Sequence, residues 1–513
     1  MTWIIWLAAA APLAYLAAAI VPERAFPILK SSRLASWASL GAATLGLLQS
    51  ALIGRAQTPL VGLEGFGFAE RIDLLSTVFC ALIAFIGLIV VAYSRNYLDG
   101  DPRQSRFVRD LCLTLGFVQG LALAGNLGQL VLCWIGVGFC INRLLLFRAQ
   151  RPAAILAARK RFLASRLAEA SLVGACACLW HAAGSADIQV ILALAHGAQG
   201  AEWSAASVLL ALAAILSSAQ LPLHGWILEV METPTPVSAL LHAGVVNAGG
   251  FLLLRFGEVV ASNPGALGLL TIIGATTAIF GSLAMLPQTS VKVRLAYSTV
   301  AQMGFMLLEC GLGAFPAALL HIVAHALYKA HAFLSAGAIA TAKVSLPVSP
   351  PASMATTLAI PASVVLSAFA ASAVGAGPTQ QPGAFVLWVV LFLGLARIWL
   401  SQSPGRSPVH IVLGSTVVVA SYAAGQALFA RILDAHAAQP TWQAASAAII
   451  VIALMTGLVC LQLQLPGRAN SPAWARAYAL ASNGFYLNTL ANRWVLRLWP
   501  APHLNAKPYG AAQ

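Results

Sequence analysis

Charge is what this chain has least of. Asp, Glu, Lys and Arg together make up 9% of its 513 residues, against ~25% in a typical soluble domain. With 60% hydrophobic residues and a mean hydropathy of +0.84, too little polar surface remains to cover a water-soluble particle. A string of soluble domains is excluded, and no long polar linker interrupts the apolar runs. Metal-ligand patterns are missing too. The eight cysteines (Cys80, Cys112, Cys133, Cys140, Cys176, Cys178, Cys310 and Cys460) lie in or beside apolar stretches, with no CxxC pair and no Cys/His ligand spacing. That excludes an iron–sulfur cluster, a structural zinc site and a disulfide framework. Acidic residues are scarcest, 15 against 29 Lys+Arg, for a net charge of +14. In a membrane chain such an excess marks basic cytoplasmic loops, so no nucleic-acid partner is expected.

What is present is a succession of apolar segments. A spanning helix needs about 20 mostly apolar residues, and about fifteen stretches meet that need, giving an all-α polytopic membrane protein. They centre on 3–21, 34–54, 73–94, 108–124, 127–147, 162–182, 204–220, 236–256, 264–286, 295–311, 315–341, 354–375, 384–401, 408–430 and 442–464. The first is expected to stay as a helix because no basic residue precedes it, although Ala8–Ala11 has the small residues of a cleavage site. From Pro466 onward a tail dotted with Trp474, Arg476, Arg493, Trp494, Arg497 and Trp499 reads as a surface-lying amphipathic segment. With fifteen helices, the loops after odd-numbered ones and the tail carry 22 of the 29 Lys+Arg, and the opposite loops carry four: Arg55, Arg71, Arg255 and Arg431. That asymmetry places the N-terminus outside and the C-terminus in the cytoplasm. Three cations, Arg166, Lys329 and Arg397, fall inside apolar segments.

A charge in mid-membrane costs several kcal/mol and calls for a reason. His321, His325 and Lys329 share one apolar segment. At 100° per residue each is turned about 40° from the one before, so all three form one stripe climbing about 12 Å. Groups spaced by one turn can be bridged by water into a proton wire. The same groups could instead hydrogen-bond neighbouring helices and hold the bundle together; three on one stripe favour the wire. A second constellation spans Gln220 to His242, where Pro222, Pro234 and Pro236 break helices and His224, Glu229, Glu232 and His242 bring polarity to the breaks. Interrupted helices are where transporters turn backbone groups toward ions. The plain alternative is a cytoplasmic loop with Pro at helix starts, which suits Glu229 and Glu232 better than His242. Glu169 follows Arg166 by one turn as a candidate buried ion pair, and Asp73 sits where it would favour a helix N-terminus.

The stretches 217–256 and 292–335, with Val291-Lys292-Val293-Arg294-Leu295-Ala296-Tyr297-Ser298 ahead of the His321–Lys329 stripe, strongly resemble the antiporter-like proton-translocating subunits of respiratory complex I and of Mrp-type multisubunit cation/proton antiporters. The resemblance covers most of 60–400 and implies two inverted five-helix repeats with broken helices. The regions are then 1–72 (N-terminal helices), 73–256 and 257–401 (the two repeats, the second degenerate in its distal half), 402–465 (C-terminal helices) and 466–513 (amphipathic cytoplasmic tail). By the same resemblance His321, His325 and Lys329 are the central relay, His242 the histidine of the eighth helix, and Arg166 with Glu169 the sixth-helix pair of the proton path. His224, Glu229, Glu232, Ser217 and Arg397 become gating or partner-facing candidates.

Departures from that pattern carry information. Where complex I relatives have Trp-Glu-Gly, this chain has Trp134-Ile135-Gly136; where they have Lys-Ser-Ala-Gln, it has Ser217-Ser218-Ala219-Gln220. The Glu–Lys pair thought to gate one half-channel is missing, residues 365–377 hold no cation, and nothing here corresponds to a long lateral helix. These losses, with Met231-Glu232-Thr233-Pro234-Thr235-Pro236, make the chain resemble most the DabB branch, the membrane subunits of bacterial inorganic-carbon accumulation complexes. The resemblance implies a bacterial inner-membrane location and a proton- or cation-conducting role. No cofactor or catalytic residue is expected in this chain. Its implied partner on the cytoplasmic side is a DabA-like zinc protein resembling a β-type carbonic anhydrase, and the heterodimer can assemble further. A proton-translocating subunit of complex I, a hydrogenase or an Mrp-type antiporter is the alternative. A haem- or quinone-binding redox enzyme finds no support, since a His stripe with a Lys one turn on ligates haem poorly.

Overall fold

The computed structural model describes residues 2–62, 67–339, 365–400, 408–433, 442–468 and 471–500. Apart from isolated bridges, its regular structure is helical except for an antiparallel ribbon of β1 (Ala56–Gln57) and β2 (Arg71–Ile72), in which Ala56 faces Ile72. The first expected span is two helices, α1 (Thr2–Ala9) and α2 (Ala11–Ile20). Pro12 has no N–H for the preceding turn, so a new helix starts around it. Then come α3 (Ile28–Leu52), α4 (Leu74–Tyr97), α5 (Gln104–Ala122), α6 (Leu127–Leu145) and α7 (Pro152–Ala183). Asp73 and Asn126 cap α4 and α6 by accepting the N–H of Ser76 and Gln129, each at 2.8 Å. α7 begins ten residues before its expected start, which moves Arg159, Lys160 and Arg161 from a loop into a helix.

The short α8 (Ile188–Ala195), which the sequence reading did not separate, precedes α9 (Ala201–Ser217). α9 stops at Ala219, whose φ of 53° is left-handed and cannot continue the helix. The chain re-forms helix in α10 (Gly225–Glu229), stops again before Pro234, and resumes as α11 (Thr235–Ala243). A 3-10 turn, Val245–Asn247, separates α11 from α12 (Ala248–Arg255), so His242 lies at the end of a half-helix rather than in mid-helix. α13 (Gly257–Ala261), α14 (Pro264–Ala284), α15 (Val291–Gly311) and α16 (Phe315–Ile339) follow. Beyond them are α17 (365–373), α18 (Pro382–Leu400), α19 (Pro408–Ile432) and α20 (Trp442–Arg468). The tail forms α21 (Pro472–Ser482) and α22 (Leu487–Leu498). Of the expected span 354–375 only 365–375 is described, and Lys343 and Arg406 lie outside the described residues.

Among the described residues eight helices are long and apolar enough to cross a membrane, and three shorter ones are apolar as well. The chain is an all-helical, multi-pass membrane protein. α14 and α15 meet backbone to backbone. A Cβ on Gly304 would stand 2.5 Å from the Ala278 nitrogen, and one on Gly281 2.5 Å from that of Ala301. Small residues at such a crossing let two helices lock without apolar side chains between them. This fixes α15 as a wall, and α16 and α11 bring their polar side chains against its first half.

Candidate functional site: a buried polar column on α15 and α16

Lys329 on α16 is fully buried, 0% exposed. Its Nζ donates to the Leu295 carbonyl at 3.0 Å and to Ser298 Oγ at 2.9 Å. His242, also 0% exposed, reaches the adjacent residue of α15: its Nδ1 lies 2.9 Å from Thr299 Oγ1, and its ring stacks on Phe333 at 4.2 Å. Thr299 Oγ1 in turn donates to the Leu295 carbonyl at 3.1 Å. Lysine and histidine thus meet at one carbonyl, through one hydroxyl. Thr299 can give its single proton to the Leu295 carbonyl and accept from His242 Nδ1, or give it to Nδ1, so the His242 tautomer and the hydroxyl proton are set together. Nε2 has no hydrogen-bond partner.

One and two turns toward the start of α16 lie His325 and His321, with ring centroids 5.9 Å apart. His325 is buried and neither ring nitrogen has a partner. His321 Nδ1 lies 2.9 Å from Oε2 of Glu309, a buried carboxylate near the end of α15. The stripe thus runs along one face of the helix, with a carboxylate at one end, the Lys329–His242 junction at the other and His325 between them. Glu309 escaped the sequence reading, although an acid inside the apolar run Phe305 to Leu312 was the available signal. In Glu309→Gln the hydrogen bond to His321 can persist while the carboxylate's negative charge is gone. Proton flux in proteoliposomes at equal protein content is expected to fall about tenfold in this variant. An unchanged rate would leave Glu309 a purely structural anchor.

The other candidates fall into separate clusters. Arg166 Nη2 pairs with Glu169 Oε1 at 2.5 Å, but only the carboxylate is buried; the arginine side chain is 42% exposed. Glu169 fits there because Gly138 on α6 has no side chain in the way. His224 is fully buried and packs edge-on to Phe280, with ring centroids 4.7 Å apart. Glu229 is covered rather than open: Lys160 of α7 pairs with it at 2.7 Å, and the Asn488 side chain of α22 bonds both residues, donating to Glu229 and accepting from Lys160. Ser217 Oγ donates to the Ala214 carbonyl. The side chains of Glu232 and Arg397 lie outside the described residues.

Four cations counted above as loop residues, Arg71, Lys160, Arg161 and Arg255, are buried. Arg255 grips Asp73 with both terminal nitrogens, at 2.6 and 3.2 Å, and also reaches Ser76; Arg71 Nε meets the same carboxylate at 2.6 Å. Burial alone would raise the Asp73 carboxyl, but Arg255 and Arg71 hold it well below the usual carboxylate range. Asp73 is thus both the helix cap that the sequence suggested and the centre of an ion cluster. No three His, Cys, Asp or Glu side chains gather to hold a metal ion among the described residues.

Comparison with known proteins agrees with this architecture. Residues 124–391 match the family model described as NADH:quinone oxidoreductase/Mrp antiporter, TM, and residues 65–108 match the N-terminus of complex I chain 5. The chain is 37% identical to the probable inorganic carbon transporter subunit DabB2 of Halothiobacillus neapolitanus over 94% of its own length and 92% of that protein's. It is 42% identical to the probable inorganic carbon transporter subunit DabB of Hydrogenovibrio crunogenus over 60% of its length and 61% of that protein's. It is also 37% identical to NADH-ubiquinone oxidoreductase chain 5 of Metridium senile, over 53% and 46% of the two chains. Among solved structures, a chain of the Mrp complex from Dietzia superimposes with a TM-score of 0.55 at 25% identity, over 97% of this chain and 56% of that one. A chain of an archaeal membrane-bound sulfane sulfur reductase shares the fold, with a TM-score of 0.54 at 19% identity over 88% and 75% of the two chains.

Proposed function

Since this chain belongs to the NADH:quinone oxidoreductase/Mrp antiporter membrane-subunit family, in its inorganic carbon transporter branch, we propose that it conducts protons for a carbon-accumulating complex. The observation that carries the reading is the buried column from Glu309 through His321 and His325 to the Lys329–Thr299–His242 junction. Ionisable groups are costly in such surroundings, and a row of them spaced one turn apart suits an ion path better than isolated helix–helix contacts would. In this reading the chain has about fifteen spanning helices, arranged as two inverted five-helix repeats with flanking helices. Its N-terminus lies outside the bacterial inner membrane and its C-terminus in the cytoplasm. The charge asymmetry of the loops supports that orientation.

Hydration of CO2 to bicarbonate and a proton is reversible and cannot by itself accumulate product. Coupling to a cation gradient can, because one charge crossing 100 mV is worth about 2.3 kcal/mol, nearly fiftyfold in concentration. The hydration chemistry is assigned to a zinc-containing partner resembling a β-type carbonic anhydrase, docked on the cytoplasmic face; this chain supplies the ion path and no catalytic residue. Cells expressing the two chains together should accumulate inorganic carbon, and a protonophore that collapses the gradient should abolish the accumulation. Accumulation that survives the protonophore but fails with a sodium ionophore would transfer the role to Na+. Survival through both would overturn the proposal. The likeness to the Mrp complex chain over nearly the whole sequence keeps a cation/proton antiporter subunit as the second reading. Co-purification of several small membrane chains instead of one zinc protein would favour it.

A further inference from the structure

Away from the α16 column, helices α6, α7, α9 and the α11–α12 segment enclose a small cavity with room for about one water molecule. Its polar lining is Arg161, Ser165, Glu169 and Ser217, and Trp134 and Val245 are among its apolar walls. Arg161 is 6% exposed, its guanidinium lies over the Trp226 ring at 4.8 Å, and its Nε and Nη1 have no hydrogen-bond partner. A fixed positive charge with two uncommitted donors in such a space is expensive unless something there accepts from it. Acceptors border the same cavity. Ser165 Oγ and Ser217 Oγ give their protons to carbonyls of their own helices, of Arg161 at 2.8 Å and of Ala214 at 3.1 Å, which leaves their oxygens as acceptors. Glu169 spends one oxygen on Arg166 at 2.5 Å. Val245 stands three residues from His242, so the cavity abuts the half-helix that meets Lys329 through Thr299.

We propose that this cavity is a hydrated proton station on the same path. Glu169 takes up and releases the proton, and Arg161 is a positioning residue whose fixed charge holds the carboxylate and a bridging water in place. A proton arriving on that water passes to a Glu169 oxygen and leaves by the reverse transfer; no other bond changes. The proposal rests on the proton-conduction reading above. It departs from a purely mechanical role for Arg161, that of bracing α10 through Trp226.

Proton-driven transport by Arg161→Ala is expected to fall about tenfold or more. Adding Ser217→Lys, which brings a cation into the same cavity from the α9 wall and into space the guanidinium has left, should restore most of the rate. A bracing role would not be rescued, because the Trp226 contact is not remade. Arg161→Ala at the wild-type rate, or a folded but slow Arg161→Ala that Ser217→Lys does not rescue, overturns the proposal. If Arg161→Ala does not fold, the isosteric Glu169→Gln carries the test: loss of transport supports the station, and a wild-type rate sinks it. Lys329→Ala is measured in parallel. If it runs at the wild-type rate, the conduction reading has failed; if it is inactive while the Arg161 and Glu169 variants run normally, only the station has failed.

Discussion

Lys329→Ala is expected to abolish proton-driven carbon accumulation in a protein that still inserts and purifies. The lysine Nζ is fully buried and makes two hydrogen bonds, to the Leu295 carbonyl and to Ser298. Removing it takes a donor from Ser298 Oγ, at a cost of about 1–3 kcal/mol, while the Leu295 carbonyl keeps Thr299 Oγ1; it also removes a buried ammonium whose desolvation opposes folding. The two effects oppose each other, so the fold should survive while the path loses its junction. A companion variant separates charge from proton transfer. Lys329→Arg keeps a cation that cannot be deprotonated in a protein, so it can hold the position but not pass a proton on. Both variants should be inactive in an uptake assay. Wild-type uptake by Lys329→Arg would show that only the positive charge matters, and wild-type uptake by Lys329→Ala would remove the column from the mechanism.

The largest stability effect is expected at the opposite kind of site. Asp73 is buried, caps α4 through Ser76 and receives both Arg255 and Arg71. Replacing it by Ala leaves two buried guanidinium groups without their shared carboxylate. Losing one partner of a buried ion pair typically costs about 3–5 kcal/mol, and the lost cap adds about 1 kcal/mol. Asp73→Ala should therefore fail to accumulate as folded protein. Arg255→Met is the milder probe, because Asp73 keeps Arg71 and the Ser76 N–H; it should purify with a lowered thermal midpoint. The check is thermal unfolding in detergent followed by size-exclusion chromatography. A midpoint for Asp73→Ala equal to wild type would show that the cluster contributes nothing net. Transport per folded molecule should change far less in Arg255→Met than in Lys329→Ala, since Asp73 and Arg255 touch no member of the column.

The stripe of His321, His325 and Lys329 was legible in the sequence because helical spacing is local. An apolar stretch of that length forms a helix, and residues four apart then share a face. The breaks near Pro222 and Pro234 were legible for the same reason, since proline removes a donor wherever it stands. Glu309 was not legible as part of the site. Nothing near it in the chain announces that it will meet His321 twelve residues later across the turn between α15 and α16. Lys160, Arg161 and Arg255 were misplaced for a related reason. A cation at the edge of an apolar run reads as a loop or interface residue, and only neighbouring helices decide whether its side chain is covered. Glu229 read as a loop acid or a gating or partner-facing candidate, yet it is closed off by Lys160 and by Asn488, a residue 259 positions away.

By itself, then, the order of residues determined that this is a membrane protein of many helices, that the chain breaks near Pro222 and Pro234, and that one helix carries three basic side chains in a row. Both periodicity and helix breaking are settled within a few residues of chain. Tertiary structure alone decided what those side chains touch: a Leu295 carbonyl shared by Lys329 and Thr299, a carboxylate for His321, and a cavity wall for Arg161. Such pairings depend on how closely helices approach, and that approach is set by packing, as where Gly281 and Gly304 let α14 and α15 touch backbone to backbone.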